Sequence, residues 1–184
     1  MTTTKAFLRK IYLEKRLKLS SQEVLERSEL LLEQFQRLDF LDKTYFHIFL
    51  PILSKNEVNT WFFVEYLHGL GKKVVVSQSD IEKGTMNHFV VTAETQFKEN
   101  TWGIPEPVQA ASIDIQKIEV VIIPLLVSDK QMNRVGYGKG FYDRFLSECR
   151  LDVLKIGLSF FPPIDKIQDT TPLDIPLNKV LFVS

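Results

Sequence analysis

The chain has 184 residues, 45% hydrophobic and 25% charged, enough to bury one substantial core and too apolar to be disordered. With 23 Lys plus Arg against 23 Asp plus Glu, it lacks the overall basic surface that nucleic acid requires, while a local basic pocket stays open. Its single cysteine, Cys149, excludes an internal disulfide, a thiolate metal cage and a CxxC redox pair. No apolar run nears the ~20 residues of a bilayer span, and the start, MTTTKAFLRK, has no signal-peptide apolar core. The expectation is a protein of the reducing cytoplasm with no membrane and no nucleic-acid partner.

Residues 4–18 are expected to form a helix, with Phe7, Leu8, Ile11 and Tyr12 on one side and Lys5, Arg9 and Arg16 clustered on another face. Ser20 and Glu23 have capping-box spacing and open a second helix, in which Val24, Ser28, Leu31, Leu32, Phe35 and Leu38 step at helical intervals. Residues 39–43 read as a turn. A strand over 45–50 ends at Pro51. Ser54 and Glu57 again have capping-box spacing, followed by the apolar set Trp61, Val64, Tyr66, Leu67 and Leu70, with Gly69 and Gly71 as stop signals. Strands at 73–76 and 86–91 come next.

Residues 93–111 show little periodicity. Trp102, Gly103, Pro105 and Pro107 make a shaped loop there rather than a helix or a central strand, and loops of that length tend to be functional. The run 119–126 is the most apolar and reads as a parallel strand buried on both faces. A glycine-rich loop follows, then a helix to about residue 150 with Phe141, Tyr142, Phe145, Leu146 and Cys149 as its stripe. A strand at 154–159 with Gly157 inside, a Pro-rich loop at 162–176 and a strand at 179–183 complete the chain. Alternating helices and strands point to one α/β domain over 1–184 with a mostly parallel sheet.

The chemistry concentrates in residues 134–144, RVGYGKGFYDR. Gly136, Gly138 and Gly140 alternate there, with Arg134 and Lys139 as cations and Asp143 just beyond. Bare amides approach oxyanions closely and a helix start adds its positive dipole end, so strand, glycine loop and helix together form a phosphate cradle. Asp143 suits phosphate only with a divalent cation between them, and magnesium binds through one or two carboxylates plus phosphate oxygens. The alternative is a tight turn with Asp143 merely favouring a helix N-terminus. The spacing is neither a Walker A motif nor the dinucleotide GxGxxG. His47, His68 and His88 have no metal-ligand spacing, there is no GxSxG elbow, and Cys149 reads as buried filler. Trp102 could stack on a flat ligand or simply pack.

This stretch resembles the signature of the 5-formyltetrahydrofolate cyclo-ligases, also called methenyltetrahydrofolate synthetases: Arg134, Gly136, Gly138, Gly140, Phe141, Tyr142, Asp143, Arg144. Other matches fall in family order: Lys5 with Arg9; Pro51, Glu57 and Thr60; Met86 with Phe89; WGIPEP at 102–107; DIPL at 174–177. Departures stand at Asn59, Ser77, Gln78 and Asn178. The resemblance implies a three-layer α/β sandwich similar to the sugar-phosphate isomerase/CoA transferase-like fold. It implies conversion of 5-formyltetrahydrofolate to 5,10-methenyltetrahydrofolate with MgATP, through phosphorylation of the formyl oxygen.

By position it assigns ATP to Lys5, Arg9, Arg134, Gly136, Tyr137, Gly138, Lys139, Gly140, Phe141 and Tyr142. Catalytic roles fall to Lys5, Arg134, Lys139 and Tyr142, magnesium to Asp143 and Asp174, and the folate, polyglutamylated or not, to Ile52, Glu57, Met86, Trp102 and Tyr142. A cytoplasmic monomer is implied. Two rivals stay open: a phosphorylated-substrate isomerase or CoA transferase-like enzyme, and a non-catalytic nucleotide- or folate-binding module.

Overall fold

Side chains that alternate along a strand must go to opposite faces, and here both faces are apolar. In the computed structural model, which describes residues 2–40, 42–80 and 82–184, Phe46 and Ile48 of β1 (Tyr45–Ile48) face one way and His47 the other. Val74 and Val76 against Val75 in β2 (Lys73–Asp80), and Val120 and Ile122 against Val121 and Ile123 in β7 (Val120–Pro124), repeat the pattern. Helices cover both sides. Leu31 and Phe35 of α2 (Ser21–Gln36) with Phe63 and Leu67 of α3 (Trp61–Gly69) pack on the first face. Phe145 and Leu146 of α4 (Phe141–Glu148) pack on the second. Each such side chain fully removed from water contributes roughly 1.5–3 kcal/mol, and Phe35, Phe46 and Phe63 are all at 0% exposure.

The remaining elements are α1 (Lys5–Leu17), β3 (Thr85–Val91), β4 (Gln96–Glu99), β5 (Pro105–Val108), β6 (Ala111–Ser112), β8 (Val127–Ser128), β9 (Arg134–Val135), β10 (Leu154–Ser159) and β11 (Lys179–Phe182). The sheet has the order β11-β10-β7-β1-β2-β3-β6. From β11 to β2 every pairing is parallel; β2–β3 and β3–β6 are antiparallel. This is the three-layer, mostly parallel α/β architecture expected. Gly157 fits its central position in β10 because a Cβ there would lie 2.4 Å from Leu125 Cδ2 and 2.6 Å from Leu177 Cδ1.

Local signals explain most boundaries. Ser20 and Glu23 do form the capping box. At the end of α3, Gly71 takes φ +69°, Lys72 N–H donates to Leu67 O and Gly71 N–H to His68 O, a Schellman closure. Of the turn expected over 39–43, Leu41 lies outside the described residues, as does Met1 of the N-terminal segment.

Three expectations are corrected. Ser54 and Glu57 form no capping box: residues Leu53–Lys55 make a 3-10 turn, Asn56 closes it in the left-handed region, and α3 starts only at Trp61. Glu57 turns inward instead. Residues 93–111 are not one loop, since β4 and β5 pair there as an antiparallel ribbon outside the main sheet, anchored by Phe97 edge-on to Trp61 at 5.0 Å. Finally, β7 does not run directly into the glycine loop, because the β8–β9 hairpin intervenes.

Candidate active site

In parallel sheets ligands bind beyond the carboxyl ends of the strands. Pro124 closes β7 at that end and forms part of a cleft of about 310 Å³. Asp129 braces the hairpin that leads to it. Fully buried, it accepts from Gln131 N–H (3.0 Å) and Asn133 N–H (2.9 Å) in the hairpin and from Ile167 N–H (3.0 Å) in the following Pro-rich segment. Leu8 of α1 packs beside Val127, Val135 and Ile167, so the first helix lies against the hairpin and brings its basic face to the cleft.

The glycine loop leaves β9 at Gly136. Gly138 (φ +83°) and Gly140 (φ +70°) lie in the left-handed region. Arg9 Nε donates to Gly136 O at 2.9 Å, and a Cβ on Gly138 would sit 2.8 Å from the Arg9 guanidinium. The loop therefore rests on an arginine, and only glycine permits that approach. Among the described residues, no amide from Gly136 to Gly140 donates to a protein acceptor, which leaves them open to an anion at the N-terminus of α4.

Two ion pairs cross the cleft. Lys5 Nζ reaches both carboxylate oxygens of Asp174 at 2.5 Å. Arg134 Nη2 donates to Asp143 Oδ1 at 2.6 Å, its Nη1 donates to Ile175 O, and Ile175 N–H donates back to Asp143 Oδ1 at 3.2 Å. Burial pushes the Asp174 carboxyl up, but the Lys5 ammonium and the Thr171 amide outweigh it and hold it below the usual carboxylate range. Both pairs remain partly open: Asp174 is 21% and Asp143 32% exposed.

Asp143 and Asp174 are hard oxygen donors lining one cleft with a phosphate-type loop, and no group of three potential ligands occurs among the described residues. That donor set fits magnesium arriving with a polyphosphate and does not make an all-protein cage.

On the far side of the loop Tyr137 leads to a buried carboxylate. Its hydroxyl donates to Glu57 Oε1 at 2.7 Å, and Glu57 Oε2 accepts from Ile52 N–H at 2.8 Å. Burial raises the Glu57 pKa, opposed first by Arg16; burial and the Glu57 charge raise that of Tyr137. Tyr142, raised mainly by burial, forms another wall of the cleft and stands edge-on to His47 at 6.1 Å.

The structure thus brings together Lys5, Arg9, Arg134, Gly136, Tyr137, Gly138, Gly140, Tyr142, Asp143 and Asp174, with Glu57 and Ile52 one contact away. It does not bring the others to the cleft wall. Lys139 is exposed, with its carbonyl accepting from Arg144. Phe141 lies under the Arg144 guanidinium at 5.3 Å. Met86 packs against the α4-side cluster. Trp102, 57% exposed, borders a separate polar depression with Gln78, Asn87 and Glu106.

The departures Asn59, Gln78 and Asn178 are spent on internal bonds, to Trp61 N–H, Glu106 and Lys155 N–H. Arg16 and Asp129 carried no predicted role. The clue to Arg16 was its place two turns beyond Arg9 on the same helix face, while Asp129 gave no periodic signal.

A family model described as the 5-formyltetrahydrofolate cyclo-ligase family matches residues 1–178. A mouse 5-formyltetrahydrofolate cyclo-ligase is 26% identical over 146 residues, 74% of this chain and 71% of its own. A probable 5-formyltetrahydrofolate cyclo-ligase of Schizosaccharomyces pombe is 29% identical over 119 residues, and the match spans 58% of each chain. The solved 5,10-methenyltetrahydrofolate synthetase of Aquifex aeolicus superposes with a TM-score of 0.82 at 25% identity, covering 97% of this chain and 89% of its own. That of Mycoplasma pneumoniae gives 0.75 at 25% identity, covering 96% and 97%. With its glycine loop, its paired charges and this match over nearly its whole length, the chain belongs to the 5-formyltetrahydrofolate cyclo-ligase family of enzymes.

Proposed function

We propose that this chain catalyses the ATP- and magnesium-dependent cyclisation of 5-formyltetrahydrofolate to 5,10-methenyltetrahydrofolate, releasing ADP and phosphate. One observation carries the reading: a glycine loop with open amides, two ion pairs and a tyrosine leading to a buried carboxylate meet at one cleft. The formyl oxygen takes the terminal phosphoryl group of ATP and ADP leaves. N10 then bonds to the formyl carbon and gives up its proton, and the oxygen departs with the phosphate. Such a sequence asks for charge neutralisation and positioning, not for a protein nucleophile.

Lys5 and Arg134 turn their charge toward the phosphates, Lys139 adds a cation from the exposed side of the loop, and the open amides with the α4 N-terminus receive the anion. Arg9 holds the loop in shape. Asp143 and Asp174 hold magnesium, which when bound offsets phosphate charge. Glu57 accepts hydrogen bonds from the folate, with Ile52 and Tyr142 beside it; Met86 and Trp102 stay assigned to the folate by family resemblance alone. We place the protein in the cytoplasm as a monomer acting on folates with or without a polyglutamate tail; a lone, buried thiol supports the first part.

The test mixes the protein with 5-formyltetrahydrofolate and MgATP and follows the near-UV chromophore of the methenyl product. Folded protein that gives no product at any ATP or magnesium level sinks the reading. Binding without turnover would point to the non-catalytic module instead.

A further inference from the structure

Arg16 shares the basic face of α1 with Lys5 and Arg9, yet it is only 4% exposed. Its Nε donates to Lys55 O at 2.9 Å, and Nη2 donates to the Tyr137 hydroxyl and lies 3.8 Å from Glu57 Oε1. The guanidinium carbon stands 5.5 Å from the centre of the Tyr137 ring. One planar cation therefore ties two segments together: the turn after β1, with its carbonyl and the buried carboxylate, and the glycine loop. An ammonium could replace its charge but not its fork, because lysine presents a point charge on a flexible stem.

We propose that Arg16 is a positioning residue that locks the Tyr137 hydroxyl and the Glu57 carboxylate into one unit, so that the phosphate loop and the folate carboxylate are aligned together. The assignment of Glu57 to folate rests on the function proposed above; the lock itself does not. Glu57 is 4% exposed, and a buried carboxylate stays charged only if it is paired. The groups facing it are Arg16 from α1, Lys55 from the 3-10 turn, Tyr137 from the loop and Tyr142 from α4. Arg16 opposes the protonation of Glu57 more than any of the others. Its partner contacts also fix where both oxygens point: one to Tyr137, the other to Ile52 N–H.

The experiment combines two readouts. Carboxyl carbons of glutamate are labelled with carbon-13, Glu57 is assigned by loss of its signal in Glu57→Gln, and its titration is followed without any substrate. Arg16→Met is expected to move the Glu57 midpoint to higher pH, whereas Arg16→Lys keeps it near that of the native protein. Calorimetry with 5-formyltetrahydrofolate is expected to show about tenfold weaker binding for both variants, with ATP binding changed much less.

Added guanidinium ion is expected to restore folate binding to Arg16→Ala. An unmoved Glu57 midpoint in Arg16→Met, or native folate affinity in Arg16→Lys, overturns the lock. So does an equal loss for ATP and folate with no rescue. If Arg16→Met fails to fold, the lysine variant and the rescue still decide. A native protein without turnover refutes the proposed function and leaves the titration to judge Arg16.

Discussion

The parallel and antiparallel parts of the sheet use their residues differently. From β11 to β2 the strands run the same way and their carboxyl ends gather at one rim, where Pro124, the glycine loop and α1 enclose the cleft. From β3 outward neighbouring strands run in opposite directions, and the β4–β5 ribbon carries Trp102 to an exposed position outside that cleft. The parallel part supplies the cleft because a common strand direction collects loops that the sequence keeps far apart. The antiparallel part turns back on itself and forms the separate polar depression beside Trp102.

The sharpest way to break this contrast is Asp143→Ala. Methenyl formation is expected to fall by on the order of 10³-fold. Thermal unfolding should shift by no more than about 4 °C, because Asp143 is about a third open to water and the buried Arg134 keeps its bond to Ile175 O. Undiminished magnesium-dependent turnover would remove Asp143 from the metal site.

Next comes Lys5→Ala with Arg9→Ala, expected to raise the apparent KM for ATP at least tenfold and that for folate far less. Equal rises in a steady-state titration would make α1 a structural helix only.

Where the two parts meet, His47 on β1 and His88 on β3 lie 5.2 Å apart, and His88 stacks on Phe145 at 4.2 Å. Among the described residues, neither His47 nitrogen has a partner. Burial lowers both, His88 from 6.5 to about 4. Between those values the unfolded chain binds a proton that the fold refuses, so the stabilisation is complete above pH 6.5 and drains away toward pH 4. His88 alone is worth about 3 kcal/mol across that window. Urea midpoints measured at about pH 7.5 and about pH 5 should differ less in His88→Leu than in the native chain. An identical difference would show that His88 does not contribute to the acid limit.

The smallest effect is expected for Trp102→Ala, roughly threefold on the folate KM and none on ATP. A loss larger than that of Asp143→Ala would move the centre of the chemistry to the ribbon.

The sequence announced what local physics decides. The Ser20 capping box, the Gly71 stop, the doubly buried run in β7 and the glycine loop all follow from residue type and spacing within a few positions. The ribbon stayed hidden because β4 is mostly exposed and the half-buried β5 carries two prolines, so neither shows a clean alternation. The β8–β9 hairpin has two-residue strands, too short to show any period. Glu57 had the right distance from Ser54 for a cap, and only the tertiary approach of Arg16 and Tyr137 turned it inward. Arg16 itself looked like Lys5 and Arg9 on a helical wheel. What separates them is the segment each one meets, which helical spacing does not contain.

The Lys5–Asp174 pair joins residues 169 positions apart, and Thr3 and Gln168 tie the same two segments through paired hydrogen bonds. During synthesis the first helix must wait for nearly the last loop before the cleft has its second wall. Long-range closures of this kind form late, because loop entropy must be overcome before the contact gives anything back. A chain that stops before residue 168 can hold much of the sheet and still lack one wall of the cleft. If the proposed function holds, nucleotide affinity in this protein reports that α1 has closed on the segment carrying Asp174.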